Sequence, residues 1–499
     1  MYVVSISLIV ALGGFLLGFD SAVISGTIKG IAKTFAMSDA MLGFAVGCVI
    51  FGAMAGNLLA GPAADKFGRK NVLIAVASLF TISAFWSALA SGYTEFIVAR
   101  IIGGIGIGGA ILIAPIYIAE IAPPNLRGRL VSFNQLNIVL GISVAYFTNY
   151  FLVNLGEESW RWMLAVEALP ALLYFFALFA VPKSPRWLVF YASDTIRAHA
   201  ILTKIAGKDY ADTTMSAIES HRYNEPNGGV KDLFKKRFST VMLIAFGIAF
   251  FQQITGINAI FYYAPTIFEQ AGGSTDSAFL QAIAIGLTNL FFTLVAIAVI
   301  DKAGRKPLLI IGTMGMTLAL FLASFAFEQA TYTLSAEKLS RIESSDLKDK
   351  LSDLSITFQS QKELFTVIKP LLDEDEFRDF QRNHLTNFIA INSNLVLLSI
   401  MLYVAAFAIS WGPVMWTLIS EIFPSHIKGI AISIAGFFNS LISFSVTQFF
   451  PWELSRLGPA TTFFIYGSMA FLSMLFVLRF VVETKGRTLE EIETLLIRK

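Results

Sequence analysis

The stretch Phe251-Gln-Gln-Ile-Thr-Gly-Ile-Asn-Ala-Ile-Phe-Tyr-Tyr263 lies inside a long apolar segment, from about Val241 to Ile267. The stretch carries the amide side chains of Gln252, Gln253 and Asn258. In lipid, each unpaired amide costs several kcal/mol of free energy. A membrane helix therefore has no reason to carry three amides unless they meet polar groups, either in the protein or in a bound molecule.

The residues around these amides favour a bound molecule. Asn258 and Tyr262 are four residues apart and share one helix face, and Gly256 loosens the backbone just before them. Amides donate and accept hydrogen bonds, whereas aromatic rings offer flat apolar faces. A neutral polyol ring, with hydroxyl groups at its edge and C–H groups on its faces, needs this combination. The alternative is that the amides join helices, because amides also hydrogen-bond across membrane interfaces.

The composition predicts a polytopic membrane protein. Hydrophobic residues make up 56% of the 499 residues, charged residues make up 14%, and the mean hydropathy is +0.68. A soluble protein would carry about 25% charged residues. The net charge of +2 and the lack of a basic cluster argue against a nucleic-acid partner. The single cysteine, Cys48, excludes a disulfide framework.

Twelve membrane spans are predicted, and they are numbered here in chain order. The first apolar run, from Tyr2 through Asp20, has neither a basic leader nor a cleavage site. We therefore interpret this run as a retained span and not as a signal peptide. The spans begin near residues 4, 40, 71, 95, 130, 162, 239, 279, 307, 386, 429 and 461, with boundaries good to a few residues.

The connections between these spans differ in charge. The loops at 65–70, 127–129 and 301–306 are basic, as are the segment 183–238 and the tail. The opposite side carries Glu157, Glu158 and the acid-leaning segment 328–384. The positive-inside rule therefore places both chain ends in the cytoplasm.

This pattern divides the chain into two six-span halves, residues 1–182 and 239–499. A cytoplasmic linker, residues 183–238, joins them, and a cytoplasmic tail begins at 482. The segment 328–384 is an insert on the outer side, which we expect to be helical and amphipathic. Its expected apolar positions are Leu339, Ile342, Leu347, Leu351, Leu364, Ile368, Leu371 and Leu372. We expect the insert to be a small lid or packing module, and not a binding domain.

Two motifs occur once in each half. Asp65-Lys-Phe-Gly-Arg-Lys70 recurs as Asp301-Lys-Ala-Gly-Arg-Lys306. Glu120-Ile-Ala-Pro, followed by Arg127, recurs as Glu421-Ile-Phe-Pro, followed by Lys428. The two halves are therefore copies of one six-helix unit. Parallel repeats of this kind place a substrate at their interface, near the middle of the membrane, with alternating access by rocking.

The charges in these repeated loops predict a cytoplasmic gate. Each loop carries an acid and several bases at helix ends, so ion pairs across the halves would hold the cytoplasmic side shut and break when it opens. The alternative is a topology signal alone, which single basic residues would satisfy. The predicted gate residues are Asp65, Arg69, Glu120, Arg127, Arg186, Asp301, Arg305, Glu421 and Lys428.

Taken together, the motifs resemble those of the sugar porters of the major facilitator superfamily. The resemblance covers all twelve spans and leaves only the outer insert unexplained. It implies an all-α membrane fold of twelve helices, and its nearest likeness is to bacterial proton-coupled pentose and hexose porters of the inner membrane. The motifs are Gly18-Phe-Asp20, Asp65-Lys-Phe-Gly-Arg-Lys70, Arg100-Ile-Ile-Gly-Gly104, Pro182-Lys-Ser-Pro-Arg186, Gln252-Gln253, Gly412-Pro-Val-Met-Trp416 and Glu483-Thr-Lys-Gly486.

The resemblance also implies which residues hold the sugar. The family uses amides on spans 5, 7, 8 and 11, with a glycine and an indole on span 10. Two positions depart from the family pattern, Ser440 where an indole is common and Ile142 where some bacterial members are polar. Both departures leave the identity of the sugar open. The implied residues are Gln135, Gln252, Gln253, Asn258, Tyr262, Asn289, Gly412, Trp416 and Asn439.

A proton site is predicted at Asp20, a carboxylate within an apolar helix. At 1.5 Å per residue, Asp20 lies roughly 24 Å from the cytoplasmic end of span 1. Arg100 lies roughly 9 Å below the outer surface on span 4, so in a core about 30 Å thick the two depths nearly coincide. An Asp20–Arg100 pair is therefore expected, and protonation of Asp20 would release it. The alternative is a static buried ion pair.

Three functions are compatible with the sequence. The first is a proton-coupled symporter of pentoses or hexoses. The second is a facilitative uniporter, or a non-transporting sugar receptor, with the same site. The third, a membrane enzyme, is disfavoured because the chain has four histidines and no zinc or serine-nucleophile pattern. We expect no cofactor other than the coupling proton, no nucleic acid, contact with membrane lipid, and a monomer.

Overall fold

The computed structural model describes residues 2–221, 233, 235–339, 345–351, 354, 356–487 and 489–496. Apolar helices dominate the fold. Eleven helical segments within these ranges are long and apolar enough to cross a membrane, each with a mean hydropathy of at least 1.7. Span 5 adds a further helix of 29 residues. The architecture is therefore the expected all-α fold of twelve membrane helices.

The first half is built from five continuous helices and one broken helix. Gly68, with φ +88°, makes the sharp turn between spans 2 and 3, which an L side chain rarely adopts. Span 6 is interrupted at Glu167. The helices are span 1 (Tyr2–Thr34), span 2 (Asp39–Phe67), span 3 (Arg69–Leu89), span 4 (Tyr93–Ile121), span 5 (Pro124–Leu152) and span 6 (Ser159–Val166 followed by Ala168–Phe179).

The second half repeats this plan with two broken helices. Gly304, with φ +92°, makes the turn between spans 8 and 9 in the way that Gly68 does in the first half. The helices are span 7 (Ser239–Ile254 followed by Ile257–Gln270), span 8 (Thr275–Ala303), span 9 (Arg305–Glu328), span 10 (Ser393–Ile409 followed by Trp411–Ile422), span 11 (Ser425–Arg456) and span 12 (Gly458–Phe480).

Because the number of spans is even, both ends of the span series lie on one face of the bundle, which we name the terminal face. The segment between spans 6 and 7 lies on the same face and forms three short helices, Pro185–Phe190, Thr195–Ala206 and Lys208–His221, with a 3-10 turn at Lys236–Phe238. A last helix, Leu489–Leu496, follows span 12. The three short helices bury a small apolar core of their own around Trp187 and Leu202.

The insert lies on the opposite face, which we name the insert face. Most of its expected apolar positions are buried in a separate core, namely Leu339, Leu347, Leu351, Leu364, Ile368 and Leu372. Leu371 is exposed, contrary to expectation, and Ile342 lies outside the described residues. The insert also contains a three-stranded antiparallel sheet, with strands β1 (Thr331–Thr333), β2 (Thr357–Phe358) and β3 (Ile389–Ala390) in the order β2-β1-β3. The short helices are Ala336–Leu339, Ser345–Leu351, Gln361–Ile368 and Glu374–Asp379, with a π-helix at Phe380–His384 and a 3-10 turn at Leu385–Asn387.

The insert is therefore helical in part, as expected, but it also contains a sheet and continues past residue 384. The strands are two or three residues long, too short to show a period of two, and their pairing joins residues far apart in the chain. Because β3 takes up Ile389 and Ala390, span 10 begins at Ser393 and not near residue 386.

The two halves approach each other closely through spans 2 and 11. A Cβ atom at Gly43 would lie 2.1 Å from the carbonyl oxygen of Gln448, so this approach requires glycine. Nearby, the rings of Phe44 and Phe444 meet edge to face with their centroids 6.1 Å apart. This packing brings the broken span 7 of one half against span 1 of the other, where the candidate site lies.

Candidate functional site

Span 7 presents its amides on both sides of a break. Its first helix ends at Ile254 and its second begins at Ile257, and between them Gly256 adopts the left-handed conformation with φ +92°. Gln252 and Gln253 precede the break and Asn258 follows it. The prediction that Gly256 loosens the backbone is therefore confirmed.

The amides form a hydrogen-bonded cluster between spans 7 and 11. Asn258 Nδ2 donates to Gln253 Oε1 at 3.0 Å, and Gln253 Nε2 donates to Asn439 Oδ1 at 3.1 Å. Asn439 Nδ2 in turn donates to Gln252 Oε1 at 2.9 Å. Asn258 Nδ2 also lies 2.5 Å from Ser443 Oγ. The amides satisfy one another in this way, which keeps the cost of burying them low.

A single cavity of about 260 Å³ brings the predicted substrate residues together. All nine residues line it, with contributions from spans 5, 7, 8, 10 and 11. Its wall also includes Leu17 and Ser21 of span 1, Ile138 and Ile142 of span 5 and Phe407 of span 10, together with side chains of spans 2 and 4. A wall that combines amides with apolar side chains provides the surroundings that a polyol ring requires. That these residues bind a substrate remains a prediction.

The cavity is covered on one side only. Phe261 and Tyr262, towards the insert face, are 7% and 8% exposed, whereas Trp416, towards the terminal face, is 40% exposed.

Ser443 and Phe407 also line the cavity, and neither was predicted from the sequence. Ser443 lies one helical turn after Asn439 on span 11, so the spacing of four residues could have identified it.

Asp20 and Arg100 form the buried ion pair that their depths predicted. Both side chains are about as buried as residues of the protein core, each 2% exposed. The contact is bidentate: Arg100 Nη1 donates to Asp20 Oδ1, and Arg100 Nη2 donates to Asp20 Oδ2 at 3.2 Å. The pairing is therefore confirmed, while its role in proton coupling remains a prediction.

A second acid belongs to this buried site. Glu167, at the break of span 6, is 3% exposed and close enough to interact electrostatically with both Asp20 and Arg100. The buried site therefore holds two carboxyl groups near one guanidinium. Asp20 directly precedes Ser21, a cavity residue, so span 1 connects the ion pair to the cavity wall.

The charges of the predicted gate are paired within each half. In the first half, Arg69 contacts Asp65 and Glu120, each at 3.1 Å. In the second half, Arg305 contacts Glu421 at 2.8 Å. Our sequence analysis expected pairs across the halves. These contacts join residues of the same half, because the loop between two spans lies next to the end of span 4 or span 10 of its own six-helix unit. The expected pairs across the halves stay a prediction.

Two other predicted gate residues have described side chains that lie outside the pairs given above. Arg186 is exposed and lies with its guanidinium 6.0 Å from the centre of the Phe190 ring. Lys428 is half-buried near the start of span 11. The side chains of Arg127 and Asp301 lie outside the described residues, so their predicted roles remain untested.

A hydroxyl group after the last span of each half completes both clusters, and our sequence analysis missed this symmetry. Ser184 Oγ donates to Glu120 Oε2, and Thr484 Oγ1 donates to Glu421 Oε2 at 2.6 Å. Next to Thr484, partial burial alone would raise the pKa of Glu483. Hydrogen bonds from the backbone N–H groups of Lys485, Arg305 and Lys306 outweigh that effect, so this pKa lies below its ordinary value.

Comparisons with known proteins agree with this geometry. The model of the family described as "Sugar (and other) transporter" matches residues 6–342 and 380–496. The chain is 37% identical to the D-xylose-proton symporter of Escherichia coli (strain K12), over 99% of this chain and 96% of that protein. It is 34% identical to the arabinose-proton symporter of Bacillus subtilis (strain 168), over 100% of this chain and 96% of that protein.

Solved structures agree as well. The inward open conformation of the xylose transporter XylE from E. coli superposes with a TM-score of 0.77 at 35% identity, covering 99% of this chain and 100% of that chain. The XylE structure bound to 6-bromo-6-deoxy-D-glucose gives a TM-score of 0.71 at the same identity, covering 99% of both chains. With the family model matching nearly the whole chain and relatives above 30% identity along its full length, this protein belongs to the sugar transporter family of the major facilitator superfamily.

Proposed function

We propose that this protein is a proton-coupled monosaccharide symporter that works by alternating access. The single observation that carries the proposal is the position of the buried Asp20–Arg100 pair, one residue along span 1 from the cavity wall at Ser21. A sugar in the cavity and a proton on Asp20 would therefore act on the same helix. The relatives named as D-xylose and arabinose proton symporters support a pentose as the first candidate substrate.

The sugar would exchange hydrogen bonds with the amide cluster. Gln253, Asn258 and Asn439 now satisfy one another, so a ring hydroxyl that enters can accept from one amide and donate to the next without leaving a buried group unpaired. Gln135 and Asn289 would bind hydroxyls from the opposite wall, and the exposed indole of Trp416 would stack on the C–H face of the ring.

The proton would act through the ion pair. Arg100 is held by the Asp20 carboxylate, so protonation of Asp20 removes the negative charge that holds the guanidinium. Arg100 would then turn towards Glu167, the second acid of the buried site. Such a rearrangement of charge can couple to transport only if the two conformations bind the proton with different affinities.

We also propose the orientation of the chain in the membrane. The excess of Lys and Arg in the loops of the terminal face supports a cytoplasmic position for that face and for both chain ends. The covered insert side of the cavity, together with the superposition on the inward open XylE structure, supports an inward-facing state. Side chains such as Leu58 and Leu59, each 62% exposed, would contact the lipid of a bacterial inner membrane.

The proposal also covers the oligomeric state of the symporter, its coupling ion and its cofactors. The symporter would work as a monomer, with a monosaccharide substrate and with the proton as its coupling ion, and without a further cofactor. Within the described residues no cluster of metal-ligating side chains is present. The family itself is a class of transporters and not of enzymes.

The proposal is tested by transport in proteoliposomes. Counterflow with a panel of radiolabelled aldopentoses and aldohexoses, D-xylose and arabinose first, should show saturable exchange of at least one sugar. An imposed pH gradient should then drive its accumulation. Absence of counterflow with intact sugar binding would favour a receptor, and exchange without accumulation would favour a facilitative uniporter.

The substitution Asp20→Asn tests whether Asp20 is the residue that couples the proton to transport. An amide keeps the size and hydrogen bonding of the side chain but cannot take up a proton. Accumulation and sugar-induced alkalinisation should both disappear, while counterflow persists because the cavity amides are untouched. Continued uphill uptake by this variant would contradict the assignment of the proton site to Asp20.

A further inference from the structure

The break in span 7 leaves backbone groups that need partners. The substrate amides lie on both sides of it, with Gln252 and Gln253 in the first helix and Asn258 in the second. The relative orientation of the two helices therefore decides whether these amides meet. Thr255, at the break, is fully buried, and an unpaired buried carbonyl would cost free energy.

A tyrosine of span 10 satisfies that carbonyl. Tyr403, which is fully buried, donates its hydroxyl hydrogen to the Thr255 carbonyl oxygen at 3.0 Å and lies 3.3 Å from Thr255 Oγ1. Thr255 Oγ1 itself points back to the carbonyl oxygen of Gln252 at 3.4 Å. Tyr403 thus contacts the break directly from a neighbouring span, without being part of the cavity wall.

A second tyrosine, from span 12, supports the break from another side. A Cβ atom at Gly256 would lie 2.5 Å from Cδ2 of Tyr466, so the ring fills the space beside the glycine. The Tyr466 hydroxyl donates to Glu453 Oε2 at 2.7 Å, and its ring stacks on Phe450 with the centroids 6.2 Å apart. Both contacts fix the ring, so Tyr466 is a rigid support for the left-handed residue.

We propose that Tyr403 and Tyr466 are positioning residues for sugar binding, which hold the two helices of span 7 at the angle that brings Asn258 to Gln253. The inference rests on the proposed function, since it concerns the affinity of the same cavity. It assigns the affinity for sugar in part to side chains on spans 10 and 12 that touch the break and not the substrate.

The central test is Tyr403→Phe, which removes only the hydroxyl group. The variant should fold and should weaken D-xylose binding roughly threefold to tenfold, the effect of one lost buried hydrogen bond. The matched control is Tyr174→Phe: Tyr174 is also fully buried, and its hydroxyl lies 3.5 Å from the Val10 carbonyl oxygen, between spans 6 and 1. The control should bind within about twofold of wild type.

A double-mutant cycle distinguishes positioning from a general loss of stability. If Tyr403 acts by placing Asn258, then Asn258→Ala should cost less affinity in the Tyr403→Phe background than in wild type, by a factor of roughly three or more. Additive effects, or a Tyr403→Phe variant that binds like its control, would overturn the inference. Counterflow by the wild-type protein is measured first and tests the proposed function separately. Absence of counterflow would contradict the proposed function. Intact counterflow, with additive effects of the two substitutions on affinity, would contradict only the positioning role of Tyr403.

Tyr466 provides an independent check. Tyr466→Phe keeps the ring that supports Gly256 and should bind D-xylose nearly as well as wild type. Tyr466→Leu removes the flat ring and should weaken binding by roughly as much as Tyr403→Phe. Glu453→Gln keeps an oxygen that can accept from the Tyr466 hydroxyl, so it should restrict the ring as Glu453 does. Equal binding by the Leu and Phe variants would contradict a role for the ring.

Discussion

The insert face and the terminal face hold their charged groups in different ways. On the insert face, contacts cross between the halves: Lys29 Nζ lies 2.7 Å from Glu269 Oε1, and Ser455 Oγ donates to Asp39 Oδ2 at 2.7 Å. On the terminal face, the described ion pairs of Arg69 and Arg305 each join residues of one half. The insert face is joined across the halves, whereas each cluster of the terminal face belongs to one half.

This difference indicates which contacts change during transport. A rocking motion of two rigid halves must break contacts that cross between them and can preserve contacts within each. The insert-face contacts are therefore the ones that would open, while the terminal-face clusters would hold the helix ends of each half together as it moves. The following predictions test that division.

The largest effect is expected in the cavity, which lies between the two faces. Asn258→Ala removes a hydrogen-bonding amide from a desolvated site and should weaken sugar affinity about 5- to 150-fold, or roughly 1–3 kcal/mol. Asn154→Ala, which removes a cross-half contact to Asp276 on the insert face, is the matched control. Equilibrium binding in detergent measures both. An Asn154 effect as large as that of Asn258 would mean that affinity depends on closure of the insert face.

The second prediction concerns the terminal face. Arg305→Ala leaves the Glu421 carboxylate with the Thr484 hydroxyl but without a guanidinium. Both side chains of the lost pair are largely buried, so the second half should lose about 1–3 kcal/mol of stability. The melting temperature should fall by several degrees. The control is Arg197→Ala, which breaks an exposed pair with Asp194. A reporter cysteine on the terminal face should label at the wild-type rate, and a large change in labelling would instead favour pairs across the halves.

The third prediction concerns the insert face. Glu269 is 8% exposed at its side chain and pairs with Lys29, so Glu269→Gln removes an attraction that exists only while this face is closed. The population open on the insert face should rise roughly twofold to tenfold. Spin-label distances between spans 1 and 7 would measure it. Exchanging the two charges, in Lys29→Glu with Glu269→Lys, should restore closure.

The matched control for this pair is Glu157→Gln. Glu157 contacts Lys33 at 2.7 Å on the same face, but both residues belong to the first half and both are well exposed. Its loss should leave the spin-label distances unchanged, because it does not cross between the halves. An equal shift in both variants would show that closure depends on the charge of the insert face and not on the Lys29–Glu269 contact between the halves.

The smallest effect is expected for pH at the terminal face. The pKa of Glu483 is lower in the folded protein than its ordinary value, so ionised Glu483 contributes stability above that ordinary value. That contribution is lost as the pH falls through the lowered pKa. The melting temperature of Glu483→Gln should therefore differ from wild type by a degree or two near neutral pH and converge with it in acid. A difference that grows on acidification would contradict this sign.

Much of the fold follows from the sequence because its signals are local. Apolar runs long enough to cross a membrane predict the spans, and the two copied loop motifs predict the two halves. Asp20 and Arg100 could be paired from depth alone, because a membrane restricts each residue to one height along its helix. The amides of span 7 could be identified for the same reason, since polar groups in an apolar run need partners.

The tertiary structure decided what depends on distant contacts. Which acid pairs with Arg69 or Arg305 depends on how spans pack sideways, and hydropathy carries no information on that direction. The sheet of the insert depends on pairing between Tyr332 and two strands far along the chain. The support of Gly256 by Tyr403 and Tyr466 joins three spans. In the sequence these tyrosines are ordinary apolar-run aromatics, and only packing gives them a place beside the break.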